Sequence, residues 1–121
     1  MGFIFDNVEL TGSIKKKTIS ALFDSGAESN HIRHELFDGE LIESIGFSKI
    51  GLYTTTILGN GQTIDTEQVE FKKLSIKNQV LNNPTFCVSD SLPFDMIIGA
   101  DLMQSFGIIL DPPNEKFYFS K

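Results

Sequence analysis

One carboxylate stands where the chain has just left an apolar run. Ile19 to Phe23, broken only by Ser20, leads into Asp24-Ser25-Gly26-Ala27, a tetrapeptide that occurs once. A strand ending this way carries a carboxylate into a tight turn, and Gly26 lets the backbone turn where a Cβ would clash. Two readings of Asp24 follow. It can close an Asx-turn, since Asp-Ser-Gly makes one readily. It can also be half of a pair of carboxylates sharing one proton. In such a pair the ionised member takes a proton from water and the protonated member polarises a carbonyl, which together allow water to attack a peptide bond. Like charges a few Å apart resist joint ionisation, so their pKa values split.

The second half of the chain carries a matching feature. Phe94-Asp95-Met96-Ile97-Ile98-Gly99-Ala100-Asp101-Leu102-Met103 places an apolar run before a glycine, an acidic residue and a leucine, and Phe106-Gly107-Ile108-Ile109-Leu110-Asp111 follows. With Asp24-Ser25-Gly26-Ala27, this pattern resembles the retropepsin-like aspartic proteases of the cellular and prokaryotic single-domain type. The resemblance runs from about Phe3 to Phe119. It implies an all-β fold, a small closed acid-protease barrel with one short C-terminal helix, working as a two-fold homodimer. It implies Asp24 as the catalytic residue, Ser25, Gly26 and Ala27 as the active-site loop, and Glu28 as a contact for substrate backbone. Relatives often carry Thr at the Ser25 position, where the hydroxyl crosses to the partner's loop. In viral relatives an Asp at the Glu28 position pairs with an Arg where this chain has Ala100, so that ion pair is missing here.

A dyad needs two aspartates, and the chain supplies one Asp-Ser-Gly. Asp90-Ser91-Leu92 lacks the glycine, Asp95 precedes a buried strand, and Asp101 reads as a helix N-cap. A homodimer with Asp24 from each subunit on the symmetry axis is the economical solution. The expected activity is aspartic endopeptidase cleavage of extended segments with apolar residues near the cut. The alternative is a catalytically weak or inactive retropepsin-fold module for peptide binding or dimerisation.

The elements that must position these residues are short. Phe3 to Leu10 and Thr18 to Phe23 read as a hairpin with Lys15-Lys16-Lys17 at its tip. His31 to Leu36 reads as a strand or one helical turn, and Glu40 to Ile45 is ambiguous. Gly51 to Leu58 meets Gly59-Asn60-Gly61, the strongest hairpin signal in the chain, and Gln62 to Ile76 returns with alternation. The Gly59-Asn60-Gly61 turn is the candidate flap over a bound peptide. Ile57, Leu58, Ile97 and Ile98 are the candidate apolar subsites. Asn82-Asn83-Pro84 is a turn, Thr85 to Val88 and Met96 to Ile98 are buried strands, and Asp101 to Phe106 is a short helix ended by Gly107. Ile108 to Leu110 and Lys116 to Phe119 make a last hairpin, a candidate for strand pairing between subunits.

Composition sets the outer limits. The 121 residues read as one domain, 1–121, and a 40% hydrophobic content with eleven Phe gives it a core. A net charge of −6 argues against a nucleic-acid surface. Cys87 is alone, which excludes an internal disulfide and suits a reducing compartment. No apolar segment reaches bilayer length and no signal peptide is visible, so no membrane partner and a cytoplasmic location are expected. His31, His34 and Glu35 lack the ligand cluster of a metal site. No metal and no cofactor are expected, and the partners are a second copy of the chain and a peptide or protein substrate.

Overall fold

The computed structural model describes residues 3–56 and 61–120. Eleven strands and one helix occupy these residues: β1 (Phe5–Thr11), β2 (Lys16–Phe23), β3 (His31–Ile32), β4 (Ser48–Thr56), β5 (Thr63–Glu70), β6 (Lys73–Ile76), β7 (Gln79–Asn82), β8 (Thr85–Val88), β9 (Met96–Ile98), α1 (Ala100–Phe106), β10 (Ile108–Asp111) and β11 (Lys116–Phe119). Single turns of 3-10 helix span Ile42–Ser44 and Pro112–Asn114.

Nine strands form one curled sheet in the order β4-β5-β8-β3-β9-β2-β1-β6-β7, and β10-β11 form a separate ribbon. The closed barrel expected from the sequence is corrected here. The sheet ends at β4 and β7, which do not pair with each other, so the curl is a half-barrel with two edges. The alternating run from Gln62 to Ile76 is also two strands, because Phe71 and Lys72 turn away: Phe71 N–H donates to the Pro84 carbonyl at 3.0 Å and Lys72 N–H to Thr11 at 2.9 Å.

Period-two patterning explains the packing. Val8, Leu10, Ile19, Ala21, Phe23, Ile32, Val69, Phe86, Met96 and Ile98 point from successive strands into one core. Leu102 and Met103 of α1 and Phe117 of β11 join it. Each of the larger of these side chains contributes about 2 kcal/mol by leaving water. Phe71 centres an aromatic chain, 5.7 Å from Phe47 and 5.8 Å from Phe86 between ring centroids.

The β1-β2 turn is locked at its base. Lys16 and Lys17 lie in β2 rather than at the tip, and the turn itself is Gly12 to Lys15. Gly12 lies so close to the Ile45 and Gly46 carbonyls that a Cβ has no room. Lys17 Nζ donates to Asp38 at 2.6 Å and to Glu40 at 2.7 Å, Lys15 pairs with Glu40, and Ser44 Oγ donates to Glu40 at 2.5 Å. These donors push the Glu40 carboxyl down to about 2.

Candidate active site

The strand order explains how Asp24 is presented. β2 and β3 are consecutive in the chain, yet β9 lies between them in the sheet, parallel to β2 and antiparallel to β3. Residues 24–30 must therefore cross the end of β9 to connect their strands. The crossing is fastened by backbone bonds. Asp24 N–H donates to Ile98 at 3.0 Å, and Ala100 N–H donates to Ala27 at 2.7 Å. Phe23, immediately before Asp24, stacks on Phe117 at 4.6 Å, anchoring the end of β2 on the last hairpin.

Within the loop, Gly26 N–H donates to Asp24 Oδ1 at 2.8 Å. This is an Asx-turn, so the two readings of Asp24 are compatible: the turn fixes one carboxylate oxygen and leaves the other unbonded among the described residues. A Cβ at Gly26 would lie 3.2 Å from Asp24 Oδ1, a tight contact that would press on the carboxylate. Asp24 is partly buried, whereas Ser25, Gly26 and Glu28 are exposed.

Gly99 makes the tightest approach. A Cβ at Gly99 would fall 2.6 Å from the Ser29 carbonyl oxygen and 2.7 Å from that of Ala27. Only glycine lets the second motif pass beneath the loop. Asn30, which the sequence reading did not single out, completes the junction. Its Oδ1 accepts from Gly99 N–H at 2.9 Å, its Nδ2 donates to the Thr85 carbonyl at 3.1 Å, and its own carbonyl accepts from Cys87 N–H at 2.9 Å. One partly buried amide and two backbone bonds, Asp24 to Ile98 and Ala100 to Ala27, hold the loop to the second motif. The signal was an amide residue directly before a buried strand, where an unpaired side chain would be costly.

Two concavities flank Ser25. One, of about 290 Å³, is lined by Asp24 and Ser25 with Phe3, Ile4, Leu22, Leu110 and Pro112. The other, also about 290 Å³, is lined by Ser25, Ala100, Met103 and Leu110 among others. A third, polar concavity of about 250 Å³ joins Glu28, Ser29 and Asn30 to Gln68, Thr85 and Asp101.

The expected subsite residues are spread over different environments. Ile97 is partly exposed, but Ile98 is fully buried in the core and lines no surface, because alternation turns it to the side opposite Ile97. Ile57, Leu58, Gly59 and Asn60 lie outside the described residues. Gly61, with φ of +71°, leads into β5 and is exposed. Asp101 is not the N-cap of α1. Gly99 takes that position, and the Ala27 carbonyl satisfies the first helical N–H. His34 Nε2 lies 2.7 Å from Glu43, and Glu35 bridges to Leu41. Among the described residues no three His, Cys, Asp or Glu side chains converge. Cys87 is buried, and burial pushes its thiol pKa up. No helix among the described residues is long and apolar enough to cross a membrane.

Comparison with known proteins bears on the fold and the family. No curated protein sequence matches the chain. Among solved structures, a retropepsin-like aspartic protease from Rickettsia conorii superposes with a TM-score of 0.62 at 19% identity, covering 90% of this chain and 76% of that one. The retroviral protease-like domain of Ddi1 from Leishmania major gives 0.61 at 13% identity, over 100% of this chain and 90% of that one. Lpg0085 from Legionella pneumophila, a protein of unknown function, gives 0.58 at 14%, over 93% and 92%. These likenesses show a retropepsin-like fold. The family model described as aspartyl protease matches residues 10–102, a span that holds the Asp24 loop, β9 and the start of α1. The chain therefore belongs to the aspartyl protease family.

Proposed function

We propose that the protein is an aspartic endopeptidase whose active site forms between two copies of the chain. The observation that carries this reading is Asp24 itself. One carboxylate oxygen is fixed by the Gly26 N–H and the other is unbonded among the described residues, on a loop tied to the second motif and bordered by open apolar concavities. One such carboxylate cannot both activate water and protonate a leaving nitrogen, and a second Asp24 across a two-fold axis supplies the missing group.

In the mechanism, the pair shares one proton. The ionised Asp24 takes a proton from water as the oxygen attacks the carbonyl carbon. The protonated Asp24 of the other subunit donates to the carbonyl oxygen, and collapse of the tetrahedral species sends a proton to the departing nitrogen. Gly26 keeps the carboxylate in place by the Asx-turn. Ser25 reaches the partner's loop. The β4-β5 ribbon closes over an extended peptide and offers it backbone groups. The partner covers the concavities beside Ser25 and the exposed Ile109–Tyr118 pair of the β10-β11 ribbon, which is 42% and 51% accessible. A two-stranded ribbon of this kind is marginal by itself and gains from a neighbour.

The test is cleavage of an unfolded protein between pH 4 and 7 by wild type and Asp24→Asn. The expected result is a loss of about 10³-fold in the variant. Equal cleavage by both proteins would overturn the site. Peptide binding without cleavage by a sedimenting dimer would replace the reading with a non-catalytic binding module.

A further inference from the structure

The sheet register places a histidine on the face that carries Asp24. Phe5 pairs with Leu22, Leu22 with Ile97, Ile97 with His31, His31 with Cys87, and Cys87 with Gln68. Paired residues project to the same side of a sheet, so these six form one row across β1, β2, β9, β3, β8 and β5. The core residues Phe23, Ile98, Met96 and Ile32 occupy the opposite side. Asp24 follows Leu22 by two residues and so leaves β2 on the side of the row.

His31 is the anomaly in this row. Its nearest paired neighbours, Ile97 and Cys87, are apolar or weakly polar. The imidazole is partly buried and has no hydrogen-bond partner among the described residues. Burial lowers its pKa below the ordinary 6.5, so the neutral ring, with one donor and one acceptor nitrogen, is favoured. No side-chain nitrogen or oxygen among the described residues is both buried and unpartnered, so the ring nitrogens of His31 reach open space and are available to a ligand. Gln68, next in the row beyond Cys87, adds an amide. Two strand spacings separate Leu22 from His31, roughly 10 Å. At about 3.3 Å per residue, an extended peptide cut at Asp24 presents a side chain there within about three residues of the cut.

Resting on the peptidase reading, we propose that His31 is the polar floor of a substrate subsite and selects a neutral hydrogen-bonding side chain, a carboxamide, where its apolar row neighbours would favour an aliphatic one. Asn and Gln bond to the imidazole, whereas Leu and Met of the same size bury its nitrogens unpaired.

The experiment uses peptides with a common apolar scissile pair, varied singly at three positions on each side, with Asn against Leu and Gln against Met. Competition gives relative kcat/KM. At one position wild type should favour the carboxamide by about tenfold, the value of one neutral hydrogen bond with its desolvation. His31→Val should reverse that order, and His31→Gln should keep it. Preference for Leu and Met at every position, or a wild-type order retained in His31→Val, overturns the assignment. If His31→Val does not fold, the wild-type and His31→Gln orders decide. Binding of the same peptides to Asp24→Asn, read by fluorescence anisotropy, separates the two levels of inference. Carboxamide preference in binding with no cleavage by wild type would sink the peptidase reading and keep the subsite. Cleavage with apolar preference throughout would do the opposite.

Discussion

The corner around Glu40 and the loop around Asp24 use carboxylates in opposite ways. At the corner every charge is matched within the chain: Lys17 binds Asp38 and Glu40, Lys15 binds Glu40, and Ser44 adds a hydroxyl. At the loop, Asp24 receives one backbone N–H and keeps an oxygen in reserve. What fixes the loop is neutral: Asn30, the Ala27–Ala100 bond, and the close passage of Gly99. Charge satisfied internally contributes to holding the β1-β2 turn. Charge left unsatisfied, on a scaffold held by other means, remains available to a substrate and to a second subunit.

The largest expected effect on stability comes from the neutral scaffold. Gly99→Ala drives a Cβ into two carbonyl oxygens and should cost on the order of 3 kcal/mol in urea unfolding. A change under about 1 kcal/mol would mean that the loop yields easily, and the contrast between a rigid support and a free carboxylate would fail.

Glu40→Gln should have a smaller effect, and one that depends on pH. The Glu40 carboxyl falls from the ordinary 4.5 to about 2. Its contribution is therefore present above about 4.5 and is lost as pH falls through about 2. The gap in unfolding midpoint between wild type and Glu40→Gln should be widest near pH 6 and should close toward pH 2. A gap that is constant with pH would show that the carboxylate's charge is not what matters at the corner.

Asp24→Asn should be the least consequential for stability. At equal protein concentration its unfolding free energy should stay within about 0.5 kcal/mol of wild type, as for substitutions away from buried partners. A large loss would place Asp24 among the structural carboxylates and erase its difference from Glu40.

Much of this contrast was legible in the sequence, for local reasons. β8 and β9 lie where apolar runs are bounded by turn residues, and Gly107 ends α1 in the left-handed conformation, φ +69°. Other features depend on partners distant in the chain. Asp101 has the residue type of an N-cap, but the loop carbonyl of Ala27 already satisfies the helix. The β6-β7 hairpin turns at Lys77-Asn78, with φ of +47° and +73°. Lysine gives little warning of a left-handed position, and β7 has Gln79 and Val80 exposed, so it lacks an apolar run. Asn30 could be seen as a polar residue before a buried strand, but its three bonds reach β8 and the second motif. The half-barrel's open edges likewise follow from strand pairing, which alternation alone does not set.

The most direct test of the central claim is a mixing experiment. Wild type at fixed concentration is co-refolded with a ninefold excess of Asp24→Asn, at concentrations where the chain sediments as a dimer, and cleavage is measured per wild-type subunit. If each site needs Asp24 from both copies, only about one wild-type subunit in ten finds a competent partner, and activity should fall to about a tenth. Activity unchanged by the excess variant would show that one Asp24 suffices, and the shared dyad would be wrong.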